Sequence, residues 1–196
     1  MVRLLLEKDA NIEATNGFHR STPLYSAACK GHTDIVRLLL EKGADTESRR
    51  SDNGSTPLYS AAGNGEMEVV RLLLENGAKI ESTTSDYGAS ALHEAAWFSR
   101  TEVVHLLLEK GANINATTKH AETALHCVFS VAPADDFHHQ VQDPKGLIPM
   151  ITVLLAYGAN ILQTNDKGET SLDLATKGGH SEAKKLLLRH INLKVQ

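Results

Sequence analysis

Thr22-Pro23-Leu24-Tyr25-Ser26-Ala27 returns, residue for residue, as Thr56-Pro57-Leu58-Tyr59-Ser60-Ala61. Looser copies follow as Ser90-Ala91-Leu92-His93-Glu94-Ala95, Thr123-Ala124-Leu125-His126 and Thr170-Ser171-Leu172-Asp173-Leu174-Ala175, their starts separated by 34, 34, 33 and 47 residues. A fixed period of this size marks one structural unit that repeats and stacks. Thr22 has the chemistry of a helix N-cap, and Pro23 sits where a missing N–H costs nothing. Gly31, and at the same offset Gly65 and Gly179, can take the left-handed conformation that ends a helix. The motif therefore predicts a short helix.

A second block lies at a constant offset from the first. Asp34 to Ala44 is matched by Glu68 to Ala78 and by Glu102 to Ala112. Ile35, Val36, Leu39 and Leu40 form an apolar stripe at helical spacing, with Thr33 as N-cap candidate and Gly43 as terminator. Between Gly43 and Thr56 lie polar residues that include Asp52-Asn53-Gly54, a hairpin-turn signal. The unit reads as helix, turn, helix and protruding hairpin.

These residues resemble the ankyrin repeat, whose T-P-L-H-x-A signature at a period of 33 they match over almost the whole chain. The fold class expected is all-α with short β-hairpin loops: a solenoid of stacked helix-turn-helix units forming a single domain over 1–196. Its parts are a partial first repeat (1–21), full repeats at 22–55, 56–89 and 90–122, and a repeat at 123–169 with an insertion at about 130–149. A C-terminal capping repeat (170–196) follows. Three departures stand out. Tyr25, Tyr59 and Asp173 replace the usual His, altering its hydrogen bond between neighbouring turns. The first three hairpins carry one extra residue, and the fourth repeat carries about 14 inserted residues by its motif spacing. Val2 to Lys8 matches the outer helix at Val36 to Lys42 with no inner helix before it, which suggests a fragment of a longer protein or a worn first repeat. Asn115 matches a position hydroxylated in some family members.

Composition narrows the function. With 41% hydrophobic and 22% charged residues the chain is of ordinary globular type. A net charge of −4 and a pI near 6.2 supply no basic field for a phosphate backbone, so nucleic acid is not an expected partner. No apolar run is long enough to cross a bilayer. Cys29 and Cys127 are too few for a disulfide framework, as in a reducing compartment. The expected location is intracellular and cytoplasmic, with the nucleus as a second compartment.

A single helix pair cannot bury its own stripe, so each repeat needs neighbours. Small Ala27-Ala28, Ala61-Ala62 and Ala95-Ala96 allow close packing of the inner helices, and the Leu triplets fill the outer layer. The resemblance implies that inner helices and hairpins line a concave groove where a partner protein binds. At the groove-facing pair after the alanines stand Cys29-Lys30, Gly63-Asn64, Trp97-Phe98 and Lys177-Gly178. Trp97 and Phe98, with Tyr87 on the preceding hairpin, are the aromatic candidates for a binding hot spot. The competing reading packs Trp97 or Phe98 against Phe129. Lys30, Asn64, Arg49 and Arg50 complete the partner-binding candidates, although charged tips are more simply read as solvated.

Asp135, Asp136, His138, His139 and Asp143 in the insertion lack the spacing of zinc sites, so no metal and no cofactor is expected. His93 and His126 are explained by the repeat. Cys127 follows His126 directly, and adjacent helical residues do not face each other. No catalytic set is expected. The leading reading is a monomeric scaffold or adaptor that binds another protein. The alternatives are a targeting or regulatory arm of a larger enzyme or signalling protein, and a structural spacer.

Overall fold

The computed structural model describes residue 8 and residues 10–17, 20–130 and 146–194. Its helices come in pairs: α1 (Pro23–Cys29) with α2 (Thr33–Glu41), α3 (Pro57–Asn64) with α4 (Met67–Glu75), and α5 (Ala91–Trp97) with α6 (Thr101–Glu109). Then follow α7 (Ala124–Cys127) with α8 (Leu147–Ala156), and α9 (Ser171–Lys177) with α10 (Ser181–Lys194). The odd-numbered helices stack on one another as an inner layer, and the even-numbered helices form an outer layer. This is the expected stack of helix pairs.

The inner helices start where the caps say they should. Thr22, Thr56 and Thr170 each accept a hydrogen bond from the backbone N–H three residues on, at 3.2 Å. Ser90 and Thr123 form reciprocal boxes with His93 and His126. The second helices differ from expectation. α2 begins at Thr33 itself, its N-cap is His32, and Thr33 Oγ1 donates to Gly31 O at 3.3 Å. The link is so tight that the threonine falls inside the first turn. It turns at left-handed Gly31 (φ 65°), and the third repeat makes the same turn with Ser99 (φ 54°), a residue that bears the steric strain glycine avoids.

Burial repeats with the sequence. Leu24, Leu58, Leu92 and Leu125 are buried in the inner layer beside the alanine pairs, while Val36, Val70 and Val104, and Leu39, Leu73 and Leu107, are buried in the outer one. In α10 Ala183 and Leu187 are buried, whereas Leu188 and Leu193 are exposed. No helix among the described residues is long and apolar enough to cross a membrane.

The loops join successive repeats. Arg50 N–H to Ser55 O (3.0 Å), Thr84 to Ala89 (2.9 Å), Thr118 to Glu122 (2.9 Å) and Asn165 to Glu169 (2.9 Å) close the hairpins. They are closed loops rather than strand pairs; isolated bridges join Thr83 to Ser90 and Thr164 to Thr170. Next to the helix ends, Glu13 Oε1, Glu47 Oε1, Glu81 Oε1 and Asn115 Oδ1 accept from the backbone N–H of Asp45, Lys79, Asn113 and Asn160, all within 2.8–2.9 Å. The same stitch thus binds each repeat to the next.

One expectation needs adjusting. Leu147, Ile148 and Pro149, placed at the end of the insertion, open α8 instead; an N-terminal turn tolerates Pro149 because its N–H has no partner to lose. The rest of the insertion, including Asp135, Asp136, His138, His139 and Asp143, lies outside the described residues, as does the outer-helix match at 2–7.

Candidate interaction cleft

Hairpin tips two, three, four and five are locked side by side. Ser85 N–H donates to Asn53 O (2.7 Å), Lys119 N–H to Tyr87 O (2.8 Å) and Asp166 N–H to His120 O (3.0 Å). Side chains reinforce these contacts: Arg49 Nη1 donates to Gly54 O (2.9 Å) and Thr83 O (2.7 Å), and Lys119 Nζ to Ser85 O (2.5 Å). Arg49 is therefore a lace between tips, although its side chain stays exposed.

Below tips three to five lies an open cleft of about 520 Å³, lined in part by Tyr87, Trp97, His120, Glu122, Asp166 and Glu169. The Tyr87 ring meets Trp97 edge-on (6.5 Å, 85°) and His120 at a tilt (5.5 Å, 59°). His120 Nδ1 and Asp166 Oδ2 lie 2.9 Å apart. Glu122 accepts from Ser130 Oγ at 3.0 Å. Lys177 first, and Asn165 second, hydrogen-bond Glu169 and hold its carboxyl below the usual range.

The structure places the sequence candidates at different depths. Trp97 is 2% exposed and Phe98 8%, so neither stands at the surface as the spacing suggested. The physical reason is local: Tyr87 and His93 rings lie against the indole, 6.5 Å from it in each case. The Phe129 ring lies against His180 instead (5.7 Å). Arg50, expected at a free tip, is 6% exposed; it pairs with Asp52 and sits over the Tyr25 ring at 5.6 Å. Tyr87, at 37%, and Lys30 are exposed. Asn64 is half-buried and donates to Ser60 O at 2.9 Å.

The histidine replacements find new partners. His93 Nδ1 takes the Ser90 N–H (3.2 Å) and Nε2 donates to Ala116 O (3.0 Å), linking neighbouring turns. Tyr25 reaches Ser55 Oγ (3.1 Å), Tyr59 Oη donates to Glu94 Oε2 (2.6 Å), and Asp173 caps its own helix by accepting from Thr170 N–H (2.9 Å). Burial pushes His93 down to about 4 and lowers His126, so both are neutral near pH 7. It pushes the Cys127 thiol well above its ordinary value, which denies it a thiolate at neutral pH.

Sequence reasoning missed Glu94, a carboxylate only 2% exposed. The signal was Gly63 inside a helix, because a Cβ there would come within 2.7 Å of Glu94 Cγ. It also missed Glu122 and the fifth tip, which complete the cleft.

The family model for ankyrin repeats (3 copies) matches residues 1–50 and 46–118. A search of curated proteins gives no match. Past the matched stretch, the Thr123 and Thr170 caps and the paired helices α7 to α10 continue the same unit. By the extent of that match and by its helix-pair architecture, the chain belongs to the ankyrin-repeat family.

Proposed function

We infer that this chain takes part in protein–protein interaction, as ankyrin repeats generally do. We propose that this chain is a monomeric scaffold or adaptor of the cytoplasm or nucleus that holds one partner protein along the face built by its inner helices and hairpin tips, with no chemistry of its own. The observation that carries the reading is the cleft under tips three to five, where exposed Tyr87 stands beside a recess that backbone bonds between the tips keep open. Tyr87, Lys30, Asn64 and Arg49 are the contact residues; Trp97, Phe98 and Arg50 support them from beneath. Interface energy concentrates in a few aromatic and arginine anchors, which favours Tyr87 as the centre.

The test compares proteins captured from cell lysate by wild type and by a Lys30→Glu/Asn64→Ala/Tyr87→Ala variant whose circular dichroism is unchanged. A partner retained by wild type and lost by the variant supports the reading. Identical captures would remove this face as the binding surface.

A further inference from the structure

Trp97 forms part of the cleft wall, and its buried indole N–H has no hydrogen-bond partner among the described residues. Native proteins leave few buried donors unmet, so this one calls for an acceptor. Beside it, the Tyr87 and His120 rings are inclined to each other and offer aromatic faces. The acids Glu122, Asp166 and Glu169 outnumber Lys167 among the charged residues of the wall. Lys177 engages Glu169 and His120 engages Asp166. Glu122 holds the Ser130 hydroxyl and pairs with no cationic side chain among the described residues.

Resting on the interaction reading above, we infer that this cleft accepts an arginine side chain from an extended segment of the partner. The guanidinium lies against Tyr87 and His120 and donates to Glu122 and Asp166, and a main-chain carbonyl of the same segment accepts from Trp97 Nε1. A guanidinium is flat, always charged and carries five donors, so it can stack on a ring and reach two carboxylates at once; an ammonium is a point charge that cannot do both. A phosphate would satisfy Trp97 but meet three carboxylates of its own sign. An apolar side chain would desolvate Glu122 and offer it nothing.

The chain has one tryptophan, so it gives a single indole ¹⁵N–¹H signal. The probes are acetyl-Gly-Arg-Gly-amide, its citrulline twin and its lysine twin, each titrated into the ¹⁵N-labelled full chain. The arginine peptide is expected to move the indole signal and saturate in the millimolar range, with the twins weaker by about tenfold. Glu122→Gln, which keeps an acceptor for Ser130, and Tyr87→Leu should each weaken it by about fivefold or more at unchanged melting temperature. An unmoved indole signal, equal binding of either twin, or full binding by Glu122→Gln overturns the proposal. If the indole is silent while the lysate partner is still lost from the Lys30/Asn64/Tyr87 variant, the arginine pocket falls and the interaction reading stands. If that partner is not lost either, the interaction reading falls as well.

Discussion

Ser171 occupies the first helical position that is Pro23, Pro57, Ala91 and Ala124 in the other inner helices. Its hydroxyl is fully buried and finds no partner among the described residues. A buried hydroxyl without a hydrogen bond loses its hydration and gains nothing, whereas a methyl group there would lose nothing. Ser171→Ala is expected to raise stability by about 1 kcal/mol, read as a higher urea midpoint at unchanged slope; a lower midpoint would mean that the hydroxyl has a partner after all. Glu94 shows the opposite solution to the same problem. Its buried carboxylate accepts the Tyr59 hydroxyl at 2.6 Å across the repeat boundary, and Gly63 leaves the room it needs.

In the helices, stability comes from positions that recur at the repeat period. Leu39 and Leu73 occupy the same place in α2 and α4, and both are buried; α2 packs against α4, and α4 lies between α2 and α6. Truncating either leaves a cavity that two adjacent repeats share, so Leu39→Ala and Leu73→Ala should each cost about 2 to 5 kcal/mol in urea unfolding. A loss within about 1 kcal/mol of wild type for both would contradict that placement. The helices were legible because caps, apolar stripes and terminating glycines all agree within each unit. Thr33 was misread because capping geometry depends on a link only a few residues long, which periodicity does not describe. The cleft was half legible. Tyr87 and Trp97 stand out as aromatics where other repeats have small or polar residues. Their depth was not readable, since it depends on how one repeat's hairpin lies over another's helix. Glu122 and Asp166 come from tips far apart in sequence, and only the locked tips bring them to one wall.

Across the whole array, acid acts at two successive joints. At both joints the capping box needs a ring nitrogen with a lone pair: His93 Nδ1 accepts from Ser90 N–H, and His126 Nδ1 from Thr123 N–H, both at 3.2 Å. Protonation removes that acceptor. Burial lowers the His93 pKa to about 4 against an ordinary 6.5, so between these values the unfolded chain binds the proton and the native chain does not. Stability is therefore full above about pH 6.5 and falls as the pH drops toward 4, by on the order of 3 kcal/mol for His93. The lowered His126 adds in the same direction. Urea midpoints measured at pH 7 and pH 4.5 should fall steeply for wild type and less steeply for His93→Gln; parallel falls would show that the acid sensitivity lies elsewhere.

The stitch from Glu13, Glu47 and Glu81 spans 32 residues each time, and from Asn115 to Asn160 it spans 45, yet the bond is the same length to within 0.1 Å. Rise along the stack is thus uncoupled from contour length between Ser130 and Gly146. Closing a longer loop costs only logarithmically more, so the register of the neighbouring repeats is indifferent to what is spliced in there. That junction works like a socket in the side of a ruler: evolution, or an engineer, can plug a new segment into it while the graduations on either side stay where they were.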